Sequence, residues 1–385
     1  MQRYIPYGRQ WIDDEDINAV VEVLKSDYLT TGPKISEFEK KLAERVGAKY
    51  AVAIANGTAA LHAACFAAGI TAGDEVITTP ITFAASANAA IYCGGKPIFS
   101  DIDAKTYNID PEDIKRKITP KTKAIIPVHF TGQPCEMEPI LEIAKKNGLK
   151  VIEDAAHAIG AKYKGNSIGS IADMTTFSFH PVKQITTGEG GAITTNDESL
   201  YEKLMMFRTH GITRSNQKLL KNEGPWYYEQ QFLGYNYRMT DMQAALGISQ
   251  LSKLDMFIQK RKEYVRVYNE AFKNFEGVQI PYQLPETQSS WHLYIIQLQL
   301  EKLKIGRKEI YEELLAAGIG VNVHYIPVYY HPYYQSLGYI KGLCPKAEDL
   351  YERIITLPLY PAMEKGDLKY VIDTLQEIIA RCRLT

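Results

Sequence analysis

The chain has 385 residues, 45 % of them hydrophobic and 23 % charged, with a formal net charge of −1. That length suits two domains, or one large domain with a smaller appended one, rather than one simple core, and the charge balance favours neither nucleic acid nor an acidic membrane surface. Five scattered cysteines in no metal-ligand spacing suggest a reducing compartment, the cytoplasm, and no bound metal. The opening MQRYIPYGRQW lacks the apolar core of a signal peptide, and no run approaches the ~18 apolar residues of a membrane span.

Residues 14–26 read as an amphipathic helix, with Ile17, Val20, Val21 and Leu24 at helical spacing. The LTTGP stretch, 29–33, breaks it, and a second helix with Ile35, Phe38 and Leu42 on one face ends at Gly47. From Lys49 apolar strands are predicted at 51–55, 75–79, 97–100, 123–128 and 150–154, with helical stretches between them. Strands at 173–179 and 191–195 bring the total to seven. Such alternation argues for an α/β fold whose sheet is mostly parallel, with helices on both faces and ligands bound outside the carboxyl ends of the strands. Helices at 197–210 and 240–270 follow, the latter capped by Thr240 and Asp241. After about residue 290 come a strand at 291–300, a helix at 307–317, a strand at 319–324, a Tyr/Pro-rich loop to 345 and a helix at 366–381. The expected division is a large domain over 1–250, then a long connecting helix and a small α/β domain over 251–385.

The chemistry centres on FSFHPVKQITTGEGG, 177–191, which holds one lysine, Lys183, between two apolar runs. A lone lysine is usually solvated. A buried one loses basicity and becomes an amine nucleophile able to join an aldehyde such as that of pyridoxal phosphate. That cofactor also needs an acid at its ring nitrogen, a phosphate cradle and a flat surface. Asp154, ending the strand 150–154, is the candidate acid. Gly57 and Thr58, opening an alanine-rich helix after a strand, form a candidate phosphate site. Phe83, just after another strand, is a candidate ring cover, although an aromatic there is more often core.

On EDAAHA (153–158), SFHPVK (178–183) with TTGEGG (186–191), and GYNYRMTD (234–241), the chain resembles the DegT/DnrJ/EryC1/StrS family of sugar aminotransferases. The match runs from LTTGP to VHYIP (323–327). The resemblance implies the aspartate-aminotransferase fold (fold type I), with a seven-stranded large-domain sheet and pyridoxal 5′-phosphate as cofactor. It makes Lys183 the Schiff-base lysine and proton carrier, and Asp154 the partner of the pyridine nitrogen. His157 would lie near the ring hydroxyl, with a packing role as the alternative. Ser178 would contact the phosphate, unless it is a strand serine bonded to backbone. Asn236 would reach the phosphate of a neighbouring subunit, in a homodimer with shared active sites. Arg238 would hold the donor's carboxylate or else pair with a surface acid. Thr30 would lie near the substrate. His324, Tyr325 and His331 would contact the sugar or form no more than a folded aromatic loop. Within the family, the N-terminus and the SDYLTTGP and VHYIPVYY segments most resemble C4 aminotransferases of the pseudaminic-acid route. That implies transfer from L-glutamate to a UDP-linked 4-keto-6-deoxy-N-acetylhexosamine; dTDP-linked or C3 keto sugars are the alternative. Sugar 3-dehydratases of the family carry histidine at the position of Lys183. A non-catalytic regulator of this fold should show a basic patch or an added DNA-binding module, and neither is visible.

Overall fold

The computed structural model describes residues 4–384. Local sequence explains where its first helices begin and end. Asp13 and Asp16 form a reciprocal capping box at the start of Asp14–Leu24. Pro33 opens Pro33–Val46, and Gly47 closes it at φ +74°, a conformation that costs glycine little. Phe38 and Leu42 of that helix are fully buried against the sheet.

The central sheet has seven strands. From edge to edge they are Tyr50–Ile54, Gly191–Thr195, Met174–Ser178, Lys150–Asp154, Thr122–Ile126, Glu75–Thr78 and Lys96–Phe99. All neighbours run parallel except around Gly191–Thr195, which is antiparallel to both of its partners. A parallel return after Met174–Ser178 would require a crossover of a dozen or more residues, usually a helix. The connection at 179–190 holds no helix and folds as a loop, so the chain turns straight back. The lysine-bearing stretch is therefore a loop between adjacent antiparallel strands at one end of the sheet.

Helices cover both faces. Pro33–Val46, Met137–Asn147 and Asp241–Ser252 bury one apolar cluster; Gly57–Ala67, Ala85–Tyr92 and Glu198–Phe207 bury another on the opposite side. The C-terminal part has its own core around a three-stranded antiparallel sheet of Val278–Gln279, Tyr294–Leu298 and Ile354–Leu357. Leu254–Phe272 belongs to both cores. Its Leu254, Phe257 and Ile258 pack with the large domain, and its Val265, Tyr268 and Phe272 with the small one. The helix before it, Asp241–Ser252, packs with the large-domain core.

Two expectations need correction. The helix expected at 240–270 is two helices, Asp241–Ser252 and Leu254–Phe272, separated at Lys253. The strand expected at 319–324 contributes only isolated bridges, Ile319 to Ile5 and Asn322 to Thr356. The third strand of the small sheet is instead Ile354–Leu357, which follows the helix Pro345–Arg353 directly. A four-residue apolar run at a helix end carries no periodicity that marks it as a strand, whereas alternation at 319–324 imitated one. Among the described residues no helix is long and apolar enough to cross a membrane, and no group of three potential metal ligands exists.

Candidate active site

A cavity of about 1080 Å³ opens at the carboxyl ends of the parallel strands and is closed on its far side by residues 322–326 and His331. Asn56, Gly57 and Thr58 enter it after Tyr50–Ile54, Thr82 and Phe83 after Glu75–Thr78, and Asp154 and His157 at the end of Lys150–Asp154 and just beyond it. Ser178 and Lys183 complete the large-domain wall.

Lys183 is half-buried in this wall. Burial pulls its amine down to about 8, against the opposing charge of Asp154. Its loop is pinned to the end of the preceding strand: Thr187 N–H and the Thr186 hydroxyl both donate to the Phe179 carbonyl at 3.0 Å.

Asp154 is the buried acid of the cavity. Its Oδ2 accepts from the Ser86 hydroxyl at 2.6 Å, and its Oδ1 from the Ala156 N–H at 3.1 Å. Ser86 is in turn 2.8 Å from the Thr82 hydroxyl. The adjacent Glu153 faces the other side of the sheet, as strand alternation requires. There it accepts from His129 Nε2 at 3.1 Å and from the Thr175 hydroxyl. The Cys135 N–H donates to His129 Nδ1 at 3.0 Å, so the proton sits on Nε2. Of the two carboxylates, only Asp154 reaches the cavity.

The turn after this strand brings His157 to the same wall as Asp154. Its Nε2 lies 3.2 Å from the Tyr325 hydroxyl. Burial, then the charges of Lys183 and His324, hold His157 well below the ordinary histidine range.

The helix Gly57–Ala67 points its N-terminus into the cavity. Asn56 caps it by accepting from the Ala59 N–H at 2.8 Å, which leaves the first-turn N–H groups of Gly57 and Thr58 open. Gly57 has to be small: a Cβ there would lie 2.9 Å from Cβ of Ser178. Helix end and serine thus meet in a tight cradle suited to a phosphate. Phe83 stands 63 % exposed at the rim, its ring 6.3 Å from that of Tyr325. A lysine amine, a carboxylate, an anion cradle and an exposed aromatic in one cavity form the donor set that pyridoxal phosphate requires.

His324 and Tyr325 come from the small domain and are already engaged with protein. His324 Nδ1 is 2.8 Å from the Thr356 hydroxyl, and burial pulls its ring down to about 3. Burial pushes the Tyr325 phenol up. His331 lies at the same wall.

Thr30, Asn236 and Arg238 do not line the cavity of their own chain. Thr30 forms a bridge with Thr240, and the Asp241 carboxylate accepts from the N–H groups of Gly32 at 2.8 Å and Lys34 at 2.9 Å. Asp241, expected beside Thr240 as a cap of its own helix, thus serves the helix Pro33–Val46; Thr240 alone caps Asp241–Ser252. Asn236 is exposed, while its neighbours Tyr235 and Tyr237 line the cavity. This alternation along an extended segment is legible in GYNY once its conformation is known. Tyr7, His62 and Ser86 were also absent from the sequence expectations. Ser86 had one faint signal, a hydroxyl four residues after Thr82 where a helix begins.

Fold and site together define a pyridoxal-phosphate-dependent sugar aminotransferase. The chain belongs to the DegT/DnrJ/EryC1/StrS aminotransferase family, whose model matches residues 10–376. It is 44 % identical over 378 residues to the spore coat polysaccharide biosynthesis protein SpsC of Bacillus subtilis, covering 98 % of this chain and 97 % of that one. It is 40 % identical over 386 residues to the UDP-4-amino-4,6-dideoxy-N-acetyl-β-L-altrosamine transaminase of Campylobacter jejuni, covering 98 % of each. Among solved structures it is similar to Helicobacter pylori PseC, an aminotransferase of pseudoaminic acid biosynthesis. The TM-score is 0.92 at 33 % identity, covering 98 % of this chain and 100 % of that one.

Proposed function

We propose that the chain carries an amino group from L-glutamate to C4 of a UDP-linked 4-keto-6-deoxy-N-acetylhexosamine, making an amino sugar for a surface polysaccharide or glycan. The carrying observation is a single cavity that joins an amine pulled down to about 8, a buried carboxylate and an open helix N-terminus. The substrate class is supported by the Campylobacter transaminase, the Helicobacter enzyme and the Bacillus polysaccharide protein.

When bound, pyridoxal phosphate supplies the electron sink that lets an amino group pass between donor and acceptor. The chain supplies the rest. Lys183 Nζ is the covalent anchor and, once released, accepts and returns a proton, as an amine near 8 can do close to neutral pH. Asp154, oriented by Ser86 and Ala156, holds a ring N–H by charge and hydrogen bond. Gly57, Thr58 and Ser178 would hold the cofactor's phosphate, Phe83 would lie against its ring and His157 would meet its ring hydroxyl. His324, Tyr325 and His331 face the nucleotide sugar, whose remote binding energy positions the C4 carbonyl.

Thr30, Asn236 and Arg238 lie off their own cavity, so we assign them to the site of a second copy in a cytoplasmic homodimer. There Asn236 reaches the phosphate, Arg238 the donor carboxylate and Thr30 the sugar side. Mixing Lys183→Ala with Asn236→Ala subunits should then restore activity in hybrid dimers carrying one intact site. No recovery despite proven subunit exchange would return Asn236 to its own chain. Screening UDP- and dTDP-linked keto sugars with glutamate tests the substrate. Turnover of a simple keto acid as efficiently as of any nucleotide-linked sugar would sink the proposal.

A further inference from the structure

Directly behind His157, at the junction of the two domains, lies a second histidine that the reaction does not use. His292 is 3 % exposed, and its ring centroid is 4.3 Å from that of His157 with the planes inclined at 43°. It sits on the crossing 289–293, by which the chain enters the small sheet.

That crossing is held by backbone hydrogen bonds to the turn 131–132. Ser290 N–H donates to the Gly132 carbonyl at 3.1 Å, and His292 and Leu293 N–H donate to the Thr131 carbonyl at 2.8 and 3.2 Å. Both partners of this interlock carry left-handed backbone at non-glycine residues, Thr131 at φ +60° and Trp291 at φ +50°. Such conformations persist only where the surroundings over-determine them, and they gather at functional sites. Gly132 has no room for a side chain: a Cβ would lie 2.8 Å from the Ser290 hydroxyl and 2.9 Å from the His157 carbonyl.

Two further groups hold this crossing. Arg261, fully buried, donates from Nη1 to the carbonyls of Trp291 at 3.3 Å, His292 at 3.1 Å and Leu359 at 2.8 Å. A guanidinium without a carboxylate among the described residues is costly to bury, so its use on these carbonyls is a notable expense for mere packing. Gln184, next to Lys183, donates to the His157 carbonyl and to the Ser290 hydroxyl at 2.8 Å, and Ser290 donates to the same His157 carbonyl at 2.9 Å. Backbone and ring of His157 are therefore both set from this crossing.

We propose that His292 is a positioning residue: Arg261 and the Thr131–Gly132 turn fix its backbone, and its buried ring backs the His157 ring and sets its plane in the cavity. The consequence for catalysis rests on the reading that His157 stands beside the cofactor. The groups facing His157 are His292, Tyr325, Lys183 and His324. With cations on Lys183 and behind on Arg261, a neutral His292 is the partner that leaves His157 neutral and free to hydrogen-bond through Nε2.

The test reads His157 in the cofactor-free protein, by the imidazole nitrogen shifts of histidine-labelled protein, with the signal assigned through His157→Gln. In the parent protein His157 should stay neutral and in one tautomer through and below the ordinary histidine range of ~6.5. In His292→Ala the ring loses its backing, so the tautomers should average and the midpoint should rise toward the ordinary value. In His292→Phe, which keeps a flat ring and removes the titratable nitrogens, His157 should behave as in the parent. The pyridoxal phosphate dissociation constant, read by fluorescence quenching, should rise about tenfold in His292→Ala only. That is the low end of what partners of ligating histidines contribute. If His292→Ala fails to fold, His292→Gln, flat only at its amide, takes its place with the same expectation. An unchanged His157 signal in the Ala or Gln variant overturns the proposal, as does a Phe variant that disturbs His157 as much. A displaced His157 with unchanged cofactor affinity supports the positioning and counts instead against the place of His157 at the cofactor.

Discussion

The two walls of the cavity are built differently. The large-domain wall stands on strand ends and one helix end, and it offers the Lys183 amine, Asp154 oriented by Ser86 and Ala156, and the open N–H groups of Gly57 and Thr58. The small-domain wall is a loop, 322–331, whose His324 and Tyr325 are already bonded to Thr356 and His157. Groups held by a sheet keep a fixed geometry and suit chemistry common to every substrate. Groups on loops tolerate exchange and suit discrimination between substrates. On the proposed function, the reaction would fall to the first wall and the choice of sugar to the second.

The sharpest test of this division falls on Lys183. Lys183→Ala should lower transamination by more than about 10⁴-fold with the fold intact, since anchor and proton carrier go together. Borohydride reduction should fix the cofactor to the peptide containing Lys183, and label on another lysine would break the comparison at its root. In the cofactor-free protein, acylation of Lys183 should reach half its maximal rate near pH 8. The sign follows from burial, which disfavours the ammonium and so yields free amine at lower pH than the ~10.4 of an ordinary lysine. Reactivity rising only near that ordinary value would make Lys183 a solvated residue.

Asp154→Asn should lower the rate of both half-reactions by about 10²- to 10³-fold, because it replaces a charge aimed into the site by a dipole. A loss confined to the keto-sugar half would move Asp154 to the other wall. His324→Ala or Tyr325→Ala should cost about tenfold or more in the keto-sugar half-reaction. The glutamate half, followed by the cofactor's absorbance, should stay near normal. Equal losses in both halves would erase the distinction between the walls. The smallest effect is expected at Ser86→Ala, about tenfold in both halves, since one charge-assisted hydrogen bond to Asp154 is lost and that from the Ala156 N–H remains.

The same contrast marks what was legible in the sequence. The seven strands lie within a residue or two of expectation because buried parallel strands read as apolar runs bounded by turn signals. Asp154, Gly57 and Lys183 were legible because each sits where such a run ends. Ser86 was not, since its role depends on a helix being brought beside a strand 68 residues later. The strand Ile354–Leu357 was hidden because its partner across the small sheet, and not its own pattern, selects its conformation. The locations of Thr30 and Arg238 off the cavity were equally hidden, because Asp241 draws their segments together through contacts about 200 residues apart.

Parity along one strand decides which of two adjacent acids is the working one. Glu153 and Asp154 share an element, yet one meets His129 and the other the cavity. Substitutions within Lys150–Asp154 leave that assignment intact, but an insertion or deletion of a single residue would exchange the two acids. It would also strand His129 without its partner. Over this strand it is the count of residues, more than the identity of its apolar letters, that the active site holds fixed.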